Sequence, residues 1–212
     1  MRIKNSFLLF CSFIILNLGI DTPVHAQFFD GGEATPRLML GGAIGNFRVS
    51  YEDFKKVYGE RSGSSNGGFA SFLVKVPYNV IIKYREFQKT GTYTPDDITY
   101  NLDWNQRIIN VGLRYFRPGK KGFSNHFGFG FAIIKIEEKG EFSLFDSENR
   151  APKTNDAGGF FLDFGVHYTF NRFVEIFTEM EITSAGIEGK SGFEGSSVGG
   201  YYFSFGVAVM PF

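Results

Sequence analysis

Gly199-Gly-Tyr-Tyr-Phe-Ser-Phe-Gly-Val-Ala-Val-Met-Pro-Phe212 closes the sequence. Within it Tyr201, Phe203, Phe205, Val207 and Val209 alternate with the small residues Ser204, Gly206 and Ala208. That is the two-residue period of a strand with one apolar face and one face that needs room.

The composition extends the same reading to the whole chain. Its 212 residues suffice for one domain of ordinary size. They include 27 Phe, 10 Tyr and 27 Gly, which favour strands and mark turns or crowded interiors, so all-β is the expected class. Lys plus Arg and Asp plus Glu are balanced at 22 each, so no strong field points to nucleic acid.

Residues 1–26 read as a secretory signal peptide. Arg2 and Lys4 give the positive start, Phe7 to Leu16 the short apolar run, and Val24-His25-Ala26 a small-residue cleavage site. A helix across a bilayer needs roughly 20 apolar residues, more than this run supplies. The lone Cys11 lies inside the leader behind the bulky Phe10, an unsuitable site for a lipid anchor, so the exported chain from Gln27 carries no thiol.

After a polar leader at 27–36, the barrel domain is expected over 37–212. Period-2 segments run over Arg37 to Val49, Phe69 to Val76, Asn79 to Gln88, Trp104 to Arg117, Phe123 to Ile136, Gly159 to Phe170, Phe173 to Thr183 and the closing stretch. Ser50 to Gly59 breaks the period. Tyr51, Phe54, Val57 and Tyr58 recur at three- and four-residue spacings, predicting a short amphipathic helix with Ser50 as N-cap, followed by a flexible Gly/Ser link at Ser62 to Gly68. Pro77-Tyr78, Pro118 to Gly122 and Asn171-Arg172 permit only tight turns, whereas Lys89 to Asp103, Glu137 to Ala157 and Ser184 to Val198 are long polar loops. Long and short connections alternate. The expected fold is therefore an all-β, eight-stranded antiparallel up-and-down transmembrane β-barrel, with a short helix in the first long loop and both termini on the short-turn side.

Charge placement bears on which face is inside. The polar phase of strands two and three carries Lys75, Lys83 and Arg85, and that of strand four Arg114; strands six and seven carry Asp163, Glu175, Glu179 and Glu181. In a ring of eight, strands two and three stand across from six and seven. If that phase points inward the charges pair across the lumen, which is what buried ions require. On the apolar phase, Tyr115, Tyr168, Phe170, Phe173 and Phe212 are expected near the short-turn rim and Trp104 and Tyr201 near the other, as interfacial rings.

The signal peptide, the eight alternating strands and the ending Val209-Met-Pro-Phe212 resemble the small outer-membrane β-barrel family of the OmpA and OmpX type, in the form common among Bacteroidetes. The resemblance implies residence in the outer membrane of a Gram-negative bacterium, contact with its lipid, and Phe212 as part of the signal read by the barrel-insertion machinery. No peptidoglycan-binding domain follows the barrel, so an anchoring role is not expected.

Motifs for chemistry are few. Gly195-Ser-Ser-Val-Gly199 has the letters of a nucleophile elbow, but a loop running into a strand is the wrong setting. His126 and His167 both lie toward the short-turn end; His167 reads as a lumen hydrogen-bonding residue, and with no cysteine after residue 26 no metal or cofactor site is expected. Glu175, Glu179 and Glu181 are better explained by ion pairing than by acid–base chemistry. The leading expectation is a non-enzymatic barrel with a filled lumen that acts through its loops, the Tyr51 to Tyr58 helix and the Glu137 to Ala157 loop meeting a protein or a surface glycolipid. A narrow conduit or carrier of small hydrophobic ligands is the alternative, with room at Gly128, Gly130, Gly165 and Gly206; a soluble lipocalin-like binder would need the two faces reversed.

Overall fold

The computed structural model describes residues 38–94, 97–118, 122–140, 153–171, 173–187 and 197–210. The expected signal peptide, the 27–36 leader, the Lys120-Lys121 turn, most of the Glu137 to Ala157 and Ser184 to Val198 loops, and Phe212 lie outside them. Eight strands are present: β1 Leu38–Val49, β2 Ser62–Lys75, β3 Tyr78–Tyr93, β4 Tyr100–Pro118, β5 Phe123–Gly140, β6 Lys153–Thr169, β7 Val174–Ile187 and β8 Gly200–Val209, with helix α1 Phe54–Tyr58 between the first two. Each strand pairs antiparallel with its neighbour in sequence. The ring closes where β1 meets β8, from Leu40 opposite Val209 to Val49 opposite Gly200.

The alternation read from the sequence sets the faces. Phe203, Phe205, Val207 and Val209 of β8 point outward, while Tyr202, Ser204 and Ala208 are buried. Phe127, Phe129, Phe131 and Ile133 of β5 and Phe160 and Leu162 of β6 continue the exposed belt, Phe131 being 65% exposed. From Phe123 to Ile133, ten strand steps of about 3.3 Å tilted by about 40° make a band ~25 Å tall, the height of a membrane's apolar layer. A water-soluble surface does not carry a continuous apolar band of that size. The lipocalin-like reading needs these rings inside, and the structure has them outside. Replacing Phe129, near the middle of that band and outward-facing, by arginine is expected to lower stability by about 2–4 kcal/mol in lipid vesicles, against about 0.5 or less for a surface in water, as read by urea unfolding.

Several boundaries differ from expectation. Ser62 to Gly68 is strand, not a flexible link: Ser62 pairs with Arg48 and Gly68 with Gly42. Its small residues meet a crowding need, since a Cβ on Gly67 would lie 2.2 Å from the Tyr84 carbonyl oxygen. The strands β3 and β4 stay paired as far as Tyr93 opposite Tyr100, so the expected Lys89 to Asp103 loop shrinks to residues 94–99. The turn at Asn171 is tight, as expected, because its Oδ1 accepts from the backbone N–H of Phe173 at 2.8 Å and of Val174 at 3.0 Å.

The helix is a single turn. Asp53, not Ser50, stands at its N-cap and makes no side-chain capping bond, and Gly59 ends it at φ 71°. Trp104 is a second correction: it does not face lipid but is buried at 1% exposure, on the same parity as Ile108 and Asn110. Tyr115, Phe170, Phe173 and Tyr201 do lie exposed near the ends of the outer face, and Tyr168 is half-buried.

Candidate functional site

The lumen is filled in layers. At the long-loop end, Tyr51, Phe54, Val57 and Tyr58 turn inward onto Phe47, Phe87, Leu102, Trp104 and Ile136, all buried. Phe54 stacks on Tyr58 with centroids 4.3 Å apart and meets Trp104 edge-on at 5.0 Å. Trp104 Nε1 donates to Gln106 Oε1 at 3.1 Å, and Gln106 Nε2 donates to the Val198 carbonyl at 2.7 Å. The stems hold the turn in place: Val49 N–H donates to Arg61 O at 2.8 Å and Ser50 N–H to Gly199 O at 2.9 Å. Burial, reinforced by the Glu138 and Asp103 charges, pushes the Tyr58 hydroxyl above its usual range. The helix face expected to meet an outside partner is thus a plug.

Beneath it lies a belt of charge. Lys83 on β3 reaches Asp163 Oδ2 at 2.9 Å, Glu181 Oε2 at 2.5 Å, and Glu179. Arg114 on β4 donates from Nη2 to the same Asp163 oxygen at 2.8 Å and to Glu179 Oε2 at 2.6 Å. Arg85 pairs with Glu181 Oε1 at 2.5 Å and donates to Thr183 Oγ1 at 3.0 Å, its guanidinium 4.6 Å from the Tyr202 ring centroid. Asn110 Nδ2 donates to Glu181 Oε1 at 2.7 Å. These bases and acids stand on opposite walls, and inward alternation on a closed ring brings them together.

Two members of the expected network lie elsewhere. Lys75 is exposed at the short-turn rim, where the β2–β3 register shifts between Leu73 and Lys75 and turns its side chain out of phase. Glu175 meets His167 Nδ1 and accepts from the Thr169 hydroxyl at 3.3 Å, apart from the bases.

The sequence reading missed His126. Its ring is buried, with Nδ1 2.5 Å from His167 Nε2, so Glu175, His167 and His126 form a chain pointing into the belt. His126 Nε2 lies 3.5 Å from Asp163 Oδ1 and 3.4 Å from Glu179 Oε2, and the three ligand atoms all fall within 4.8 Å of one another. The parity of His126 with Gly128 and Gly130 places it in the lumen. Its neighbours depend on the stagger among three strands. Glycine makes the room, since a Cβ on Gly128 would sit 2.1 Å from Asp163 Oδ1.

Beside Lys83, Arg85, Glu179 and Ser204 a cavity of about 20 Å³ remains, room for about one water molecule.

No protein-family model matches the sequence, and no curated protein is similar to it in sequence. Solved structures do match in fold. Neisserial surface protein A (NspA) is 12% identical with a TM-score of 0.56, the match covering 82% of this chain and 96% of that one. The outer membrane protein OprG from Pseudomonas aeruginosa is 15% identical with a TM-score of 0.60, the match covering 84% and 97%. With an apolar outer belt, a closed ring of eight and a network of buried ion pairs in the lumen, this chain has the fold of the small eight-stranded outer-membrane β-barrels.

Proposed function

We propose that the protein is exported through its N-terminal signal, inserted in the outer membrane by machinery that reads Phe212, and serves there as a non-enzymatic barrel that conducts nothing. The observation that carries this reading is the double closure of the lumen, by the α1 plug and by the Lys83–Arg114–Asp163–Glu179 belt. The histidines are buried within the barrel and engaged with each other and with Glu175, which gives them a structural task rather than contact with a substrate at either rim.

The working surface is then the outer crown. Above the apolar belt, Glu86, Arg107, Lys135 and Glu137 project outward from β3, β4 and β5, Arg107 lying 3.4 Å from Glu137 and 3.7 Å from Glu86. Glu52, Lys55, Lys56 and Glu60 around α1 are exposed too. These polar groups, not the apolar side of the helix, suit recognition of a protein or a surface glycolipid. In planar lipid bilayers the refolded barrel is expected to give no unit conductance. Stable channel events would overturn the closed lumen and favour the conduit.

A further inference from the structure

Three atoms of the lower lumen face one another without the distances of ordinary hydrogen bonds. His126 Nε2 and Asp163 Oδ1 are buried and have no hydrogen-bond partner among the described residues. They stand 3.5 Å apart, and Glu179 Oε2 lies 3.4 Å from the same nitrogen. An N–H···O bond is shorter, about 2.7–3.2 Å. The two separations from His126 Nε2 instead match the edge of a tetrahedron whose bonds to a central ion are about 2.0–2.2 Å, and the two carboxylate oxygens lie within 4.8 Å of each other.

We propose that His126, Asp163 and Glu179 form a binding site for a divalent transition metal of the zinc class. The surroundings are those that such a site uses. A metal-binding histidine ordinarily gives its other ring N–H to a carboxylate or similar acceptor, which fixes its tautomer. Here His126 Nδ1 meets His167 Nε2, and His167 Nδ1 meets Glu175, so the outer partner is a second histidine backed by an acid. Both carboxylates are held from behind. Asp163 Oδ2 accepts from Lys83 and Arg114, and Glu179 accepts from Lys83 on Oε1 and from Arg114 on Oε2 at 2.6 Å. That leaves Asp163 Oδ1 directed at the site, with one Glu179 oxygen shared between Arg114 and the ion.

At the belt itself Asp163, Glu179 and Glu181 are matched by Lys83, Arg85 and Arg114, so it is the geometry of the three ligand atoms and not an excess of acid that favours a cation. The lumen is sealed above by the plug, so the ion would enter during folding.

The test is refolding of residues 27–212, without a histidine tag, in detergent containing Co²⁺. The expected result is about one equivalent bound per barrel, with tetrahedral Co²⁺ absorption bands and a paramagnetically shifted imidazole resonance. After residue 26 the chain holds only His126 and His167, so such a resonance locates the ion. His126→Gln should abolish uptake while heat-modifiable gel mobility persists, and His167→Gln should weaken binding about 10–100-fold. A folded wild-type barrel that takes up no Co²⁺ would overturn the site and leave a proton on His126 Nε2 in its place. Uptake undiminished in a folded His126→Gln variant would overturn it as well. Where the variants fail to fold, the wild-type imidazole resonance decides: its presence supports the site, and bound Co²⁺ without it contradicts the assignment.

Discussion

Replacing Lys83 by methionine is expected to lower the unfolding free energy of the barrel by about 3–5 kcal/mol. The ammonium touches three carboxylates, Asp163, Glu179 and Glu181, all buried. Methionine keeps most of the apolar stem but carries no charge, and leaves those acids to Arg85 and Arg114 alone. A buried ion pair adds little net stability over apolar residues of the same shape, because both partners gave up water; removing one partner leaves the other's desolvation uncompensated. Adding Glu179→Gln to the Lys83→Met variant should therefore recover a large part of the loss, a coupling that distant sites would not show. Urea unfolding in detergent micelles reads both. A loss of under about 1 kcal/mol for Lys83→Met would mean that water reaches the belt and that its pairs behave like exposed ones.

Phe54→Ala should undock the plug, at a cost of about 3–5 kcal/mol to helix docking. Phe54 is fully buried and is the centre of an aromatic stack with Tyr58 and Trp104, with the Phe87 ring 6.2 Å away. The chain has a single tryptophan, so Trp104 reports on the plug without interference. Its emission should shift to the red and become open to iodide quenching. Conductance should stay absent, because the ion belt still closes the lumen below. Unchanged Trp104 emission would mean that the helix does not fill the mouth of the barrel.

Much of this was legible in the sequence, and the failures have physical reasons. Strands such as β8 announced themselves because inside the lipid one face must be apolar, so Tyr201, Phe203 and Phe205 contrast sharply with Ser204 and Gly206. Above the lipid that demand lapses. Thr90, Gly91 and Thr92 carry no contrast, and β3 and β4 run further than periodicity shows. Parity also placed Lys83, Arg85, Arg114, Asp163, Glu179 and Glu181 on the lumen side, where the structure brings them together. It failed for Lys75 because a register shift leaves no mark in the pattern, and Trp104, expected among the outward interfacial rings, stands at an even position of β4, on the lumen parity of Ile108 and Asn110. The spacing of Tyr51, Phe54, Val57 and Tyr58 said that the helix packs on something. Only the closed ring showed that the something is the inside of its own barrel. His126 was out of reach for a related reason: its contacts with Asp163 and Glu179 cross three strands and depend on their stagger.

The most direct test of a membrane barrel with a sealed, charged interior is fractionation of the expressed protein, followed by gel electrophoresis of the detergent-extracted membrane with and without boiling. The account predicts recovery in the outer-membrane fraction and a band whose mobility changes on heating, as a closed barrel resists detergent until its strands separate. Recovery from the soluble periplasm, with one mobility at all temperatures, would contradict it, because the exposed Phe127, Phe131, Phe160 and Phe203 would then face water.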